Sequence, residues 1–184
     1  MRLALTPHPD FPCEAVVRIE VEVARPAPGV LSLSFAAAGA IADLVLPAPA
    51  AASRTDELWR TTCFEAFLQP EPLEAYFEFN LAPSRQWAVY RFSHYRQGME
   101  SPPAVAQPVI EMRREPGRLD LVARLDLAGL PGLERDGRWR LGLSAVVEEA
   151  VGRKSYWALA HPAGRPDFHN AAGFVCEIGP EDAV

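Results

Sequence analysis

The chain has 184 residues, 18 of them proline, with 24 acidic against 18 basic side chains and a formal charge of −6. Proline at about one residue in ten is twice the usual share, and it excludes a long helical bundle or coiled coil, because proline breaks helix interiors. The acidic balance gives no general pull toward nucleic acid or anionic lipid, whose binding rests on neutralised phosphates.

No apolar run nears the roughly 20 residues of a membrane-spanning helix. The N-terminal residues reach Pro7 and Pro9 before a signal-like apolar segment can form. Cys13, Cys63 and Cys176 are odd in number and lack CxxC spacing. That pattern predicts reduced thiols and a cytoplasmic protein. Length and the lack of an interdomain linker predict one domain over residues 1–184.

In chain order, residues 15–23 alternate Val17, Ile19, Val21 and Val23 with Arg18, Glu20 and Glu22, the pattern of a half-buried strand. A Pro/Gly turn at 25–29 and a second alternating run at 30–35 predict a hairpin. Residues 41–46 read as a short strand closed by Pro47. Three apolar runs follow, at 63–68, 76–81 and 87–92, with short proline-bearing connections, and predict an antiparallel meander. The proline-rich stretch 101–108 reads as a surface loop. Residues 109–114 and 118–125 flank Glu115-Pro116-Gly117, another hairpin. One helical turn is expected at 127–133, then strands at 139–147, 155–160 and 174–178. The sum is about ten or eleven short strands with at most one short helix, an all-β antiparallel sandwich of two sheets.

There is no GxGxxG, P-loop, HExxH, zinc-spaced Cys/His pair or GxSxG elbow. The informative feature is parity in the meander, where successive side chains alternate between faces. Phe77, Phe79 and Leu81 oppose Tyr76, Glu78 and Asn80. Phe64, Ala66 and Leu68 oppose Glu65. In the third strand Tyr90 and Phe92 oppose Trp87, Val89 and Arg91. With every apolar face turned inward, Glu65, Glu78, Asn80, Arg91, Trp87 and Tyr76 collect on the other face. Carboxylates, amides and guanidinium groups hydrogen-bond adjacent sugar hydroxyls, and aromatic rings pack on the apolar faces of pyranose rings. The same residue types also make ordinary cross-strand pairs on a solvated sheet. Trp59 and Trp157, at loop edges, are candidate ring clamps. His161 and His169 lie in the loop after Trp157 and complete the candidate ligand-binding set.

The run from Leu58 through Trp59 to Cys63-Phe64-Glu65-Ala66-Phe67-Leu68, and the runs Tyr76–Leu81 and Trp87–Phe92, resemble the strands of DOMON-like proteins and of carbohydrate-binding modules of family 9. Trp139-Arg140-Leu141-Gly142-Leu143 with Ser155-Tyr156-Trp157-Ala158-Leu159 resembles the closing hairpin of that group. Asp167-Phe168-His169 with Gly173-Phe174 resembles its ending. The resemblance covers nearly the whole chain and is nearest to short, stand-alone bacterial members. It implies a jelly-roll or immunoglobulin-like sandwich that binds a sugar, or haem in the cytochrome branch, on a concave face or loop end. It also implies Trp59 and Trp157 as the clamp, with Glu65, Glu78, Asn80 and Arg91 as polar partners. Thr62-Cys63 stands where many relatives carry an acidic pair.

The expected function is therefore a non-catalytic domain that binds a small carbohydrate-like molecule, without cofactor or metal, and without nucleic-acid or membrane partners. Three alternatives stay open. A haem module would need Met99 or Met112 with His161 or His169 as axial ligands. A hydrolase or lyase would use Glu65 and Glu78, whose separation could suit glycoside chemistry. A structural or interaction domain would leave the polar face merely solvated.

Overall fold

A computed structural model describes residues 1–103 and 105–180; Ala104, in the loop expected at 101–108, lies outside them. Eleven strands form: β1 (Arg2–Pro7), β2 (Val16–Ala27), β3 (Val30–Gly39), β4 (Cys63–Pro70), β5 (Tyr76–Leu81), β6 (Trp87–Phe92), β7 (Val109–Glu115), β8 (Arg118–Asp126), β9 (Trp139–Glu148), β10 (Lys154–Ala158) and β11 (Cys176–Ile178). They join in one sheet with the order β6-β5-β4-β9-β10-β1-β2-β3-β8-β7, and β11 adds to β9. Every strand pairing is antiparallel.

The expected hairpins and meander appear with nearly the expected bounds. Positive φ at Gly29 (70°) and Gly117 (80°) lets the two hairpins turn tightly, a backbone region that glycine enters without steric cost. Three features differ. Residues 41–46 form a single 3-10 turn at Ile41–Asp43, and only Leu44 makes a bridge, to Glu149. Residues 127–133 are consecutive turns without a helix, and the helical content of the described residues is three 3-10 turns. Strand β1 is unforeseen: it is short and runs into proline.

That strand explains why the sheet is one and not the two separate sheets expected. Arg2–Leu5 pair with β2, and Thr6 and Pro7 pair with β10. One strand thus passes from the first arm of the sheet to the second, and the sheet curls over its own core. Phe35 of β3 meets Phe64 of β4 at 5.0 Å between ring centroids. Val21, Val23, Leu31, Leu33 and Leu121 from one arm pack with Ala66, Phe77, Phe79, Leu141 and Leu143 from the other. Edge strand β7 carries Glu111, Arg113 and Glu115, charges that discourage further pairing. The opposite edge, β6, is covered by bridges from Arg54 and Glu100.

Strands β4 and β5 are buried along both faces. One face meets the core. The other lies under three loops, and this second face builds the site.

Candidate functional site

Cross-strand pairing decides which side chains share that outer face. Glu65 pairs with Asn80 and Ser144, Phe67 with Glu78, and Glu78 with Tyr90. Tyr76 pairs with Phe92, and Val146 with Tyr156. The outer face therefore presents Glu65 and Phe67 from β4, Tyr76, Glu78 and Asn80 from β5, Tyr90 and Phe92 from β6, Val146 from β9 and Tyr156 from β10. Residues 56–59, 96–101 and 166–169 rise around it. Together they enclose an open groove of about 780 Å³, lined also by Trp59, Arg96, Phe168 and His169.

The groove has a polar floor set in aromatic walls. Glu65 is 3% exposed and Glu78 6%. Glu65 Oε2 accepts from the Ser144 hydroxyl at 3.4 Å, and Glu78 Oε1 accepts from the Asn80 amide at 2.7 Å. Burial raises both carboxyls above their ordinary range, Glu65 the more strongly because Glu78 adds to the effect. For Glu78, the Asn80 hydrogen bond and the Arg96 charge work against the rise. Beneath them the Cys63 thiol is fully buried and is raised, first by burial and then by Glu65.

His169 forms one wall. Its Nδ1 lies 2.8 Å from the Tyr76 hydroxyl, which also accepts the Arg96 backbone N–H at 3.2 Å. The tautomer of His169 sets which of the two donates, and the ring's Nε2 lies 3.7 Å from Glu78 Oε2. Burial and the Arg96 charge hold His169 down to about 4, so it is a neutral ring and not an ion-pair partner at neutral pH. Phe67 and Phe92 meet it edge-on at 5.2 and 5.0 Å.

Asp167 fixes this wall to the β6 side. It accepts from Tyr95 Oη at 2.6 Å, Arg96 Nη2 at 2.7 Å and the His169 backbone N–H at 3.2 Å. Burial alone would raise its carboxyl, but Tyr95 and Arg96 outweigh that and hold it below the usual carboxylate range. At the mouth, Trp59 sits on the 3-10 turn Leu58–Arg60 and is 49% exposed, whereas Trp87, Trp139 and Trp157 are buried. Nearby, Tyr90 donates to Asp56 at 2.6 Å.

Of the eight residues singled out from the sequence, Trp59, Glu65, Glu78 and His169 line the groove. Asn80 stands behind Glu78 and orients it. The other three go elsewhere. Trp157 pairs with Ala145 on the core face, is 2% exposed, and donates its indole N–H to Ser155. Arg91 pairs with Phe77, so it stands on the face opposite Glu78, and it binds Glu100 at 2.7 Å. Trp87 shares that core face, and its expected grouping with Glu78 is likewise reversed. His161 donates to Thr6 O and meets His8 edge-on at 5.0 Å, away from the groove. The sequence reading missed Arg96, Tyr156 and Phe168. Tyr156 was recoverable, since it is the neighbour of opposite parity to a tryptophan that packs inward. Arg96 and Phe168 come from loops, and alternation carries no signal for them.

The fold is similar to that of a Bacteroides uniformis protein to which carbohydrate binding is ascribed, with a TM-score of 0.68 at 14% identity over 95% of this chain and 84% of that one. It is also similar to a carbohydrate-binding module of family 9 from Caldicellulosiruptor kristjanssonii. The glucose complex of that module gives a TM-score of 0.50 at 13% identity, over 88% of this chain and 75% of the module. Its cellotriose complex gives 0.50 at 11%, over 92% and 82%. No protein-family model and no curated protein matches the sequence. At these identities the likeness is one of fold: the chain has a family 9-like architecture.

Proposed function

We infer that the groove binds a small carbohydrate. The observation that carries this reading is an exposed tryptophan, Trp59, at the mouth of a groove whose floor is the buried Glu65–Glu78–Asn80 set. Aromatic faces take up the apolar side of a pyranose ring, and a fixed polar floor distinguishes its hydroxyls. The architecture supports the same reading, since the family 9 module is solved with glucose and with cellotriose. Tyr156 and Phe168, not Trp157, face the groove as aromatic partners to Trp59.

A haem module is less well supported. Both ring nitrogens of His169 are engaged, with Tyr76 and toward Glu78. Met99 lines the groove with His169, but Met112 packs against the core and His161 lies outside the groove. An acid–base hydrolase would need one carboxyl held ionised beside a protonated one, and here burial raises both Glu65 and Glu78.

Calorimetric titration with glucose and cellotriose tests the reading, with tryptophan fluorescence as a second readout. Because Trp59 alone among the four tryptophans is exposed, ligand stacking shifts its emission. Trp59→Ala lowers affinity by about tenfold or more, the scale of an aromatic anchor. Heat and fluorescence that stay silent across mono- and oligosaccharides overturn it.

A further inference from the structure

The floor carries more acid than a neutral ligand needs. Glu65 Oε2 has one long hydrogen bond to Ser144, and Oε1 has none among the described residues. Glu78 Oε2 meets only the neutral His169 ring, at 3.7 Å. The lining holds five carboxyls, of which Glu57 pairs with Arg60 and Glu100 with Arg91, leaving Asp56, Glu65 and Glu78 against a single lining guanidinium, Arg96. Arg96 is already spent on Asp167 at 2.7 Å. Two carboxyls thus lie buried diagonally across adjacent strands, with no cation among the described residues seated between them.

Such an arrangement is unfavourable unless something offsets it, because a buried carboxylate without a counter-charge loses its hydration for nothing in return. Amides would hydrogen-bond sugar hydroxyls without that cost, and Asn80 on the same face shows that one is accommodated there. A ligand ammonium changes the balance. It brings three N–H donors and the missing positive charge, and carboxylates bind it more strongly than amides do. Tyr90, beside Glu78 on β6, lines the groove with an aromatic ring that also favours a cation.

We propose that the groove selects an aminated sugar, whose ammonium sits on the Glu65–Glu78 pair while its ring lies against Trp59. This assignment takes as given that the groove holds a carbohydrate. The same unpaired carboxyls turn phosphorylated and uronic sugars away.

The test is a calorimetric comparison of glucosamine, N-acetylglucosamine, glucose and a glucose phosphate at neutral pH, because acid protonates the raised Glu65 and Glu78 carboxyls as well as the amine. Glucosamine binds about tenfold or more tighter than glucose or its N-acetyl form, the gain from a charged partner in a hydrogen bond. The phosphate binds more weakly than glucose. In Glu65→Gln and Glu78→Gln the ratio of glucosamine to glucose affinity falls toward one, with folding checked by thermal melting. The wild-type ratio stands as a test even if a variant does not fold. Glucose or N-acetylglucosamine binding as tightly as glucosamine overturns the selection and leaves the carbohydrate reading intact. A preference kept in both glutamine variants overturns the Glu65–Glu78 seat. Failure of all four sugars while cellotriose binds overturns the selection alone, and silence of cellotriose as well overturns the carbohydrate reading with it.

Discussion

Trp59 and Trp157 look alike in the sequence, each an aromatic at the edge of a loop. Burial separates them: Trp59 is 49% exposed and Trp157 2%. Trp157→Ala opens a cavity in the core and costs about 3–5 kcal/mol of stability, whereas Trp59→Ala changes stability by no more than about 0.5 kcal/mol. Chemical denaturation of both variants checks the contrast. An equal loss in the two would mean that Trp59 is structural. The same lesson applies to Arg91, whose residue type suits a ligand site but whose strand position turns it away from Glu78.

Among the elements, the strand most exposed to test is β9, which runs beneath both aromatic walls. Gly142 leaves no room for a side chain: a Cβ there would lie 2.5 Å from Phe174 Cδ1. Phe174 stacks on Phe67 at 5.8 Å, and Phe67 supports His169. Gly142→Ala forces Phe174 aside and destabilises the fold by about 1–3 kcal/mol, as overpacking does. It also weakens ligand binding by disturbing Phe67, so melting temperature and affinity fall together. A variant of unchanged stability would show that Phe174 gives way freely. The meander itself was legible from alternation because each strand carries one clearly apolar face. Parity in β6 was not, because Trp87 and Val89 compete with Tyr90 and Phe92 for the core. Only the pairing of Phe77 with Arg91 and of Glu78 with Tyr90 settles which side wins.

Across the molecule, buried titratable groups shape stability in opposite directions. His169 has a folded value of about 4 against an ordinary 6.5, so the folded state binds its proton less readily than the unfolded chain. Stability is full above 6.5 and is lost as pH falls toward 4, by up to about 3 kcal/mol. Glu65 acts the other way. Its folded value is raised, so its contribution is full below the ordinary 4.5 and is lost as pH rises through the raised value. Melting temperature measured against pH therefore falls on the acid side between 6.5 and 4, a limb that His169→Phe flattens. Glu65→Gln stabilises the fold at neutral pH and above. A flat acid limb in the wild type would rule out a buried neutral His169.

The sequence by itself determined the all-β antiparallel class, the hairpins, the meander and the proline-rich rims. Alternation, turn residues and proline are local signals, and they act through the backbone of neighbouring residues. It also held the four groove residues Trp59, Glu65, Glu78 and His169, whose types suit a sugar site. Only the tertiary structure decided the rest. The exchange of partners by β1 joins the arms into one curled sheet. Cross-strand register sends Arg91 and Trp157 to the core face and Tyr156 to the groove. The Asp167–Arg96 contact brings a loop from beyond β10 against one from beyond β6. Each depends on residues far apart in the chain, and the energy that fixes them comes from packing and burial that no local pattern encodes.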